Sequence, residues 1–168
     1  SGGISGVGGT SHLAGLVTMY ELGIKVNWVP YEGSAGSLVA LAGKHLDFTI
    51  SSATSAATLI HAGKLRPLLM LSNKRDPYFP DTPTPQDLGI DISLIPNTRG
   101  VQAPPNTPPS IVKILEEAFY KTVKEPEYIE WTKKAKIVLQ PLSAKEFGQV
   151  VEATYPKVEQ FKEMLQGK

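Results

Sequence analysis

The 168-residue chain has the length of a single domain and an ordinary globular composition, with 41% hydrophobic and 20% charged residues. Its net charge is +1 with lysine and arginine scattered along the chain, which argues against a nucleic-acid groove or a polybasic membrane patch. The absence of cysteine excludes disulfides, cysteine nucleophiles and thiolate metal sites, and no apolar run approaches the ~18 residues of a membrane-spanning helix.

The chain opens with a glycine-rich stretch, SGGISGVGGTSH, followed by a predicted amphipathic helix. Leu13, Leu16, Val17 and Tyr20 share one face of that helix, and Gly23 is a typical C-terminal stop. A glycine-rich turn that opens a helix normally follows a strand. The pattern therefore predicts a strand upstream of this stretch.

Two further strand–helix units predict an α/β layer with parallel strands. Residues 26–31 and 46–51 have the composition of short strands, and each is followed by a helical pattern that ends at Gly43 or Gly63. Residues 66–72 form a continuous apolar run, which is typical of a strand covered on both faces. This alternation favours a parallel-rich sheet flanked by helices.

A proline-rich crossing at residues 77–85 predicts an extended loop, and helical patterns dominate after it. Residues 137–140 are predicted as an edge strand, and Ser143 with Glu146 forms a capping box at the start of the last helix. The apolar faces of these helices need a cover from elsewhere, mainly because of four aromatic residues: Phe119, Trp131, Phe147 and Phe161.

The opening stretch has three interpretations: a phosphate loop, a small-anion site without a cofactor, or a plain loop. SGGISGVG is similar to the TGxxxGxG loop of short-chain dehydrogenases, so a dinucleotide-dependent oxidoreductase is the alternative function. In that class an acidic residue ending the second strand holds the ribose, whereas this strand ends in Pro30-Tyr31. Ser5 lacks the G-x-S-x-G context, and the histidines lack metal-ligand spacing. The residues favour a binding protein with no catalytic residues, metal or cofactor.

Three stretches carry motifs whose order and spacing are specific. They are VPYEGSAGSLVALAGKHLDFTISS at 29–52, HAGKLRPLLMLSNKRDPYFPDTPTPQDLG at 61–89, and GVQAPPNTPPSIVKIL at 100–115. Together they resemble the substrate-binding proteins of tripartite tricarboxylate transporters, the TctC or Bug family of periplasmic receptors.

The resemblance implies a periplasmic-binding-protein-like fold, type II-like, in which two α/β domains close around a ligand. It implies that residues 1–97 form the second domain, and that the mainly helical residues 98–168 return to the first domain, outside this chain. It also implies a periplasmic protein whose signal peptide is not in this chain, with no direct membrane insertion, and the transporter's membrane subunits as partners. The implied ligand is a small organic carboxylate: a di- or tricarboxylate, an acidic amino acid or an aromatic acid.

The predicted ligand site lies where parallel strands lead into helix N-termini. Gly8, Gly9, Thr10 and Ser11 can offer backbone N–H groups and hydroxyls to a carboxylate, or they can simply cap the helix. Similar positions after the next strands, and one cation that can reach an anion, complete the predicted set: Gly33, Ser34, Ser51, Ser52 and Arg99.

Overall fold

The computed structural model describes residues 1–162, which form two compact units. The first unit comprises Ser1–Pro96 together with residues 157–162, and the second comprises Asn97–Pro156. The predicted assignment of residues 1–97 and 98–168 to the second and first domains of a whole receptor stays a prediction. No helix within residues 1–162 is long and apolar enough to cross a membrane.

The first unit has three short parallel strands that alternate with three helices. They are β1 (Gly2–Ile4), α1 (Thr10–Glu21), β2 (Trp28–Pro30), α2 (Gly33–Ala42), β3 (Phe48–Thr49) and α3 (Ala53–His61). The strand order is β2-β1-β3, and both pairs are parallel. This arrangement confirms the predicted α/β class with a parallel sheet.

The strand that leads into α1 lies within the glycine-rich stretch, at residues 2–4, and the strand upstream of that stretch stays a prediction. Gly2 and Gly3 belong to β1, the central strand. Both positions need glycine, because neighbouring side chains occupy the space that a Cβ atom would fill. A Cβ atom on Gly2 would lie 2.7 Å from the Phe48 ring and 2.8 Å from the Trp28 ring, and one on Gly3 would lie 2.6 Å from Leu46. These two glycines therefore serve packing within the sheet.

The predicted strand at residues 66–72 does not form. The Met70 N–H donates to the Pro83 carbonyl at 2.8 Å, and Pro67 has no N–H to contribute to a ladder. Leu68 is 60% exposed, so the segment is not covered on both faces. Met70 is instead hydrogen-bonded to the proline-rich crossing, which a sequence pattern of apolar residues does not reveal.

The second unit is helical, with α4 (Pro109–Thr122) and α5 (Pro126–Lys134) followed by α6 (Ala144–Glu159), which continues into the first unit. The predicted capping box is confirmed: Glu146 accepts from the Ser143 N–H at 2.8 Å, and its own N–H donates to Ser143 Oγ at 3.3 Å. The predicted edge strand at 137–140 is wrong. The Ile137 N–H closes the end of α5 by donating to the Thr132 carbonyl at 2.9 Å.

The core of the first unit is built on α1. Val17 is fully buried and packs with Leu13, Ala14, Ile95 and Phe161. The burial of Leu13 and Val17 agrees with the predicted apolar face of this helix, whereas Tyr20, predicted on the same face, is 61% exposed. The aromatic ring at the end of the described chain thus belongs to this core.

Asp87 connects the end of the proline-rich crossing to Arg75, which precedes it. Its Oδ2 atom accepts from the Thr84 N–H at 2.8 Å, from Arg75 Nε at 3.0 Å and from Thr84 Oγ1 at 3.0 Å. Arg75 also donates to the Pro80 carbonyl at 2.8 Å. These hydrogen bonds stabilise the charged carboxylate and hold the pKa of Asp87 below its ordinary value. The bond from the Thr84 backbone N–H has the largest effect, and the bond from Arg75 the next largest.

We expect Asp87→Asn to change how stability depends on acidity. Because the pKa of Asp87 is lower in the folded chain, the carboxylate stabilises the fold above the ordinary aspartate value of about 3.9. This contribution is lost as the pH falls through the lowered folded value. The variant should therefore be less stable than wild type at neutral pH and should converge with it in acid, as measured by urea unfolding across pH. Asp81→Asn, at an exposed aspartate of the same segment, is the control. A deficit that stays constant at every pH would contradict this role.

Candidate ligand site

Three helix N-termini meet one edge of the sheet in the first unit. Parallel strands end at the same edge, and each of the three leads directly into a helix. The Tyr31 N–H donates to the Ile4 carbonyl at 2.9 Å, and the Ile50 N–H donates to the Gly3 carbonyl at 3.2 Å, which joins the strand ends across this edge. The structure thus brings together eight of the predicted site residues: Gly8, Gly9, Thr10, Ser11, Gly33, Ser34, Ser51 and Ser52.

The loop between β1 and α1, residues 5–9, turns back onto the start of the helix. Ser5 Oγ and Ser11 Oγ share a hydrogen bond of 2.7 Å, and the Ser5 N–H donates to Ser11 Oγ at 3.3 Å. Gly6 and Gly8 have φ angles of 93° and 76°, which non-glycine residues rarely adopt. The glycine-rich stretch therefore divides by role into sheet packing, a left-handed turn and a helix start.

The Gly8 N–H was predicted to be available to a ligand, but it has a partner within the chain. It donates to His12 Nδ1 at 3.1 Å, and the His12 ring is buried. Burial lowers the pKa of His12, so the ring is held in the neutral form that can accept this bond. The amides of Gly9, Thr10 and Ser11 remain as the predicted donors of this loop.

Side-chain capping distinguishes the three helices. The N-cap residues of α1 and α2 are Gly9 and Glu32. Gly9 has no side chain, and the Glu32 side chain makes no capping hydrogen bond. By contrast, Ser52 caps α3 by accepting from the Ser55 N–H at 3.2 Å. Gly9, and not Thr10 or Ser11, is therefore the N-cap residue of α1, and Ser52 has a capping role at α3. The first-turn amides of α1 and α2 have no partner within their own helices.

The local charge at this edge favours an anion. The first turns of α1, α2 and α3 contain no acidic residue, and each N-terminus carries the positive end of a helix dipole. Glu32, at the start of α2, is the acidic residue in the connecting loops and makes that terminus the less favourable one. Within residues 1–162 no cluster of three or more histidine, cysteine, aspartate or glutamate residues is placed to hold a metal ion.

The remaining predicted residues contribute in different ways. Ser51 is half-buried, and its hydroxyl donates weakly to the Ser52 carbonyl at 3.5 Å. The Ser34 carbonyl accepts from Ser37 Oγ at 3.1 Å. Arg99 is exposed and belongs to the second unit, so its role as an anion contact stays a prediction.

A surface depression of about 320 Å³ lies elsewhere in the first unit. It is lined by residues 72–73 together with residues of the 85–94 segment, and none of the predicted site residues contributes to it. The sheet edge itself is an open surface on which Gly8, Thr10 and Gly33 are exposed. A ligand held there within this unit alone would stay in contact with solvent on one side.

The chain contains one Tyr-x-x-x-Lys spacing, the acid–base pattern of short-chain dehydrogenases. It joins Tyr120 to Lys124, and Lys124 Nζ lies over the ring face, 4.1 Å from the centroid. Both residues belong to the second unit, whereas the glycine-rich loop belongs to the first. This pair is a cation–π contact, worth about 0.5–1 kcal/mol at an exposed site.

Comparison with known proteins decides the family. The family model described as TctC, the tripartite tricarboxylate transporter family receptor, matches residues 1–166. The chain belongs to this family. A UPF0065 protein of Bordetella pertussis is 33% identical to this TctC-family chain over 126 residues, which is 75% of this chain and 39% of that protein. A UPF0065 protein of Cupriavidus necator is 33% identical over 147 residues, covering 84% and 44%. The chain therefore spans about two fifths of the length of these curated relatives.

Solved structures agree with this membership. A TctC solute-binding protein from Polaromonas, solved without ligand, has a TM-score of 0.80 and 28% identity, and the match covers 97% of this chain and 56% of that one. An R. palustris protein solved with adipate has a TM-score of 0.76 and 26% identity, with coverage of 98% and 55%. These matches confirm the periplasmic-binding-protein fold class. The TctC family comprises receptors and not enzymes, which confirms the prediction of a binding protein.

Proposed function

We propose that this TctC-family chain is part of an extracytoplasmic solute receptor that captures a small organic carboxylate for a tripartite tricarboxylate-type transporter. The observation that supports the carboxylate is the N-terminus of α1, which meets the carboxyl edge of a parallel sheet without a side-chain cap or a first-turn acid. Exposed amides at such a position bind anions through hydrogen bonds and the helix dipole. Gly9, Thr10 and Ser11 are the residues proposed to hold the acid group.

The proposed ligand class is a di- or tricarboxylate, an acidic amino acid or an aromatic acid. The R. palustris protein solved with adipate, a dicarboxylate, supports this class. A second acid group of such a ligand needs a partner beyond α1. The start of α2 at Gly33 and Ser34 and the loop at Ser51 are the proposed partners in the first unit. Arg99, in the second unit, stays a predicted anion contact.

A further wall of the site is proposed to come from the part of the receptor that this chain does not span. Apolar side chains on the helices of the second unit support this proposal, because they are exposed within residues 1–162: Ile111, Ile114, Leu115, Phe119, Tyr120 and Trp131. Burying them against another α/β domain would provide a hydrophobic interface. In this proposal the two domains close around the ligand in the periplasm, and the closed form engages the transporter's membrane subunits.

Backbone amide chemical shifts of the ¹⁵N-labelled chain test the ligand site. The chain is titrated with adipate, tartrate, citrate, glutamate and benzoate, and with NADH as the probe of the oxidoreductase alternative. We expect the acids to shift the amides of Gly9, Thr10 and Ser11, with weak affinity because one wall is absent. NADH should leave these amides unchanged. Carboxylate shifts confined to other residues would contradict the site, and tight stoichiometric binding would contradict the need for a second wall.

A further inference from the structure

The buried imidazole of His12 connects the loop at residues 5–9 to the sheet. The side chain is 7% exposed, and its Nδ1 atom accepts the Gly8 N–H at 3.1 Å. On β2, the Trp28 ring meets the imidazole edge-on, with centroids 6.0 Å apart and planes at 74°. His12 thus holds one residue of the left-handed turn at the point where the loop enters α1.

The surroundings of His12 favour its neutral form. The strands β1 and β2 and the loop at residues 5–9 contain no titratable side chain. In α1 the other titratable groups are Tyr20 and Glu21, more than two helical turns further along the chain. On the chain end that packs on α1, Lys157, Glu159 and Lys162 are exposed, and Lys162 is 2.9 Å from Glu159. The positive end of the α1 dipole adds to the cost of a charged ring.

We propose that His12 is a positioning residue for carboxylate binding. Its neutral ring draws the Gly8 amide inward and thereby sets the turn that leaves the next three amides facing the ligand. This inference rests on the proposed function, since it assigns the residue that shapes that same site. His12 itself contacts no ligand.

Protonation of His12 would remove this arrangement. A proton on Nδ1 would place two donors, the imidazolium N–H and the Gly8 N–H, opposite each other, so the hydrogen bond would be lost. Because burial holds the pKa of His12 below the ordinary histidine value of about 6.5, the neutral ring persists in the fold to a lower pH than in the unfolded chain. Carboxylate affinity should therefore fall as the pH falls through that lowered value.

Two variants separate the acceptor from the proton. His12→Asn keeps an acceptor oxygen close to the position of Nδ1 but does not titrate, and His12→Leu removes the acceptor. The probe is tartrate, whose acid groups stay largely ionised in the range used, and the amide shifts of Gly9, Thr10 and Ser11 report its binding between about pH 5 and 8. The Gly8 amide reports the hydrogen bond without any ligand.

In the wild type, we expect the Gly8 amide and the His12 ring to titrate together, and tartrate affinity to fall about tenfold as His12 becomes protonated. His12→Asn should bind like wild type at the upper pH and should lose the pH step, whereas His12→Leu should bind weakly throughout. Affinity that is equal in all three proteins, or that rises in acid, would overturn the positioning role alone. If tartrate and the other acids leave the three loop amides unchanged in wild type at every pH, the proposed carboxylate site itself fails.

Discussion

We expect Gly15→Ala to lower the free energy of unfolding by about 1–3 kcal/mol, even though alanine favours helix over glycine. A Cβ atom at this position of α1 would lie 2.6 Å from Trp28 Cη2, well inside van der Waals contact. The indole has little room to move, because it meets the rings of Phe48 and His12 edge-on at 5.7 and 6.0 Å and lies over Gly2. Urea unfolding followed by circular dichroism measures the loss.

Gly148→Ala is the matched control for this prediction. Gly148 also lies within a helix, α6, but nothing lies within 4 Å of the Cβ position there. The free energy of unfolding of this variant should rise by about 0.5–1 kcal/mol from helix propensity alone. If both variants gain stability equally, the close approach of α1 to Trp28 does not constrain the fold.

Thr10→Asp should weaken carboxylate binding at least about tenfold while it stabilises the chain. The new side chain would place a negative charge in the first turn of α1, which has no acid, and would occupy the amides proposed for the ligand. The same charge interacts favourably with the helix dipole, worth about 0.3–1 kcal/mol. Binding and stability therefore change in opposite directions, which a general loss of folding would not produce. Amide-shift titration with tartrate and urea unfolding measure the two effects.

Ser110→Asp provides the control at a different helix. Ser110 lies in the first turn of α4, which also lacks an acidic residue, and α4 belongs to the second unit. The stabilisation should be similar, and binding should be unchanged. Undiminished binding by Thr10→Asp would place the carboxylate away from α1, and equal losses in both variants would indicate a general charge effect.

The glycines of β1, of the loop at residues 5–9 and of α1 serve different purposes. Gly2, Gly3 and Gly15 leave space that neighbouring side chains occupy, so we expect their replacement to affect stability first. Gly6 and Gly8 have no atom within 4 Å of the Cβ position and instead need a left-handed backbone. Substitutions there would alter the loop before they alter the packing.

The sequence alone was sufficient for the family, the α/β class, the helix at α1 and the capping box of α6. These features depend on local preferences: apolar periodicity, glycine stops, and a serine three residues before a glutamate. The motifs at 29–52, 61–89 and 100–115 added specificity because their order leaves few other families. The placement of the predicted ligand residues at one edge also follows from parallel strand order, which the alternation of strands and helices predicts.

The tertiary structure alone decided which strand is central, where the 66–72 segment pairs, and which amides at the ligand edge are free. Each of these depends on atoms brought together by folding, such as the Trp28 and Phe48 rings over Gly2 or the Pro83 carbonyl that accepts from Met70. A glycine has the same letter whether it makes room for an indole, adopts a left-handed turn or begins a helix. Its role is set by its neighbours in space, because a glycine has no side chain whose chemistry could indicate that role.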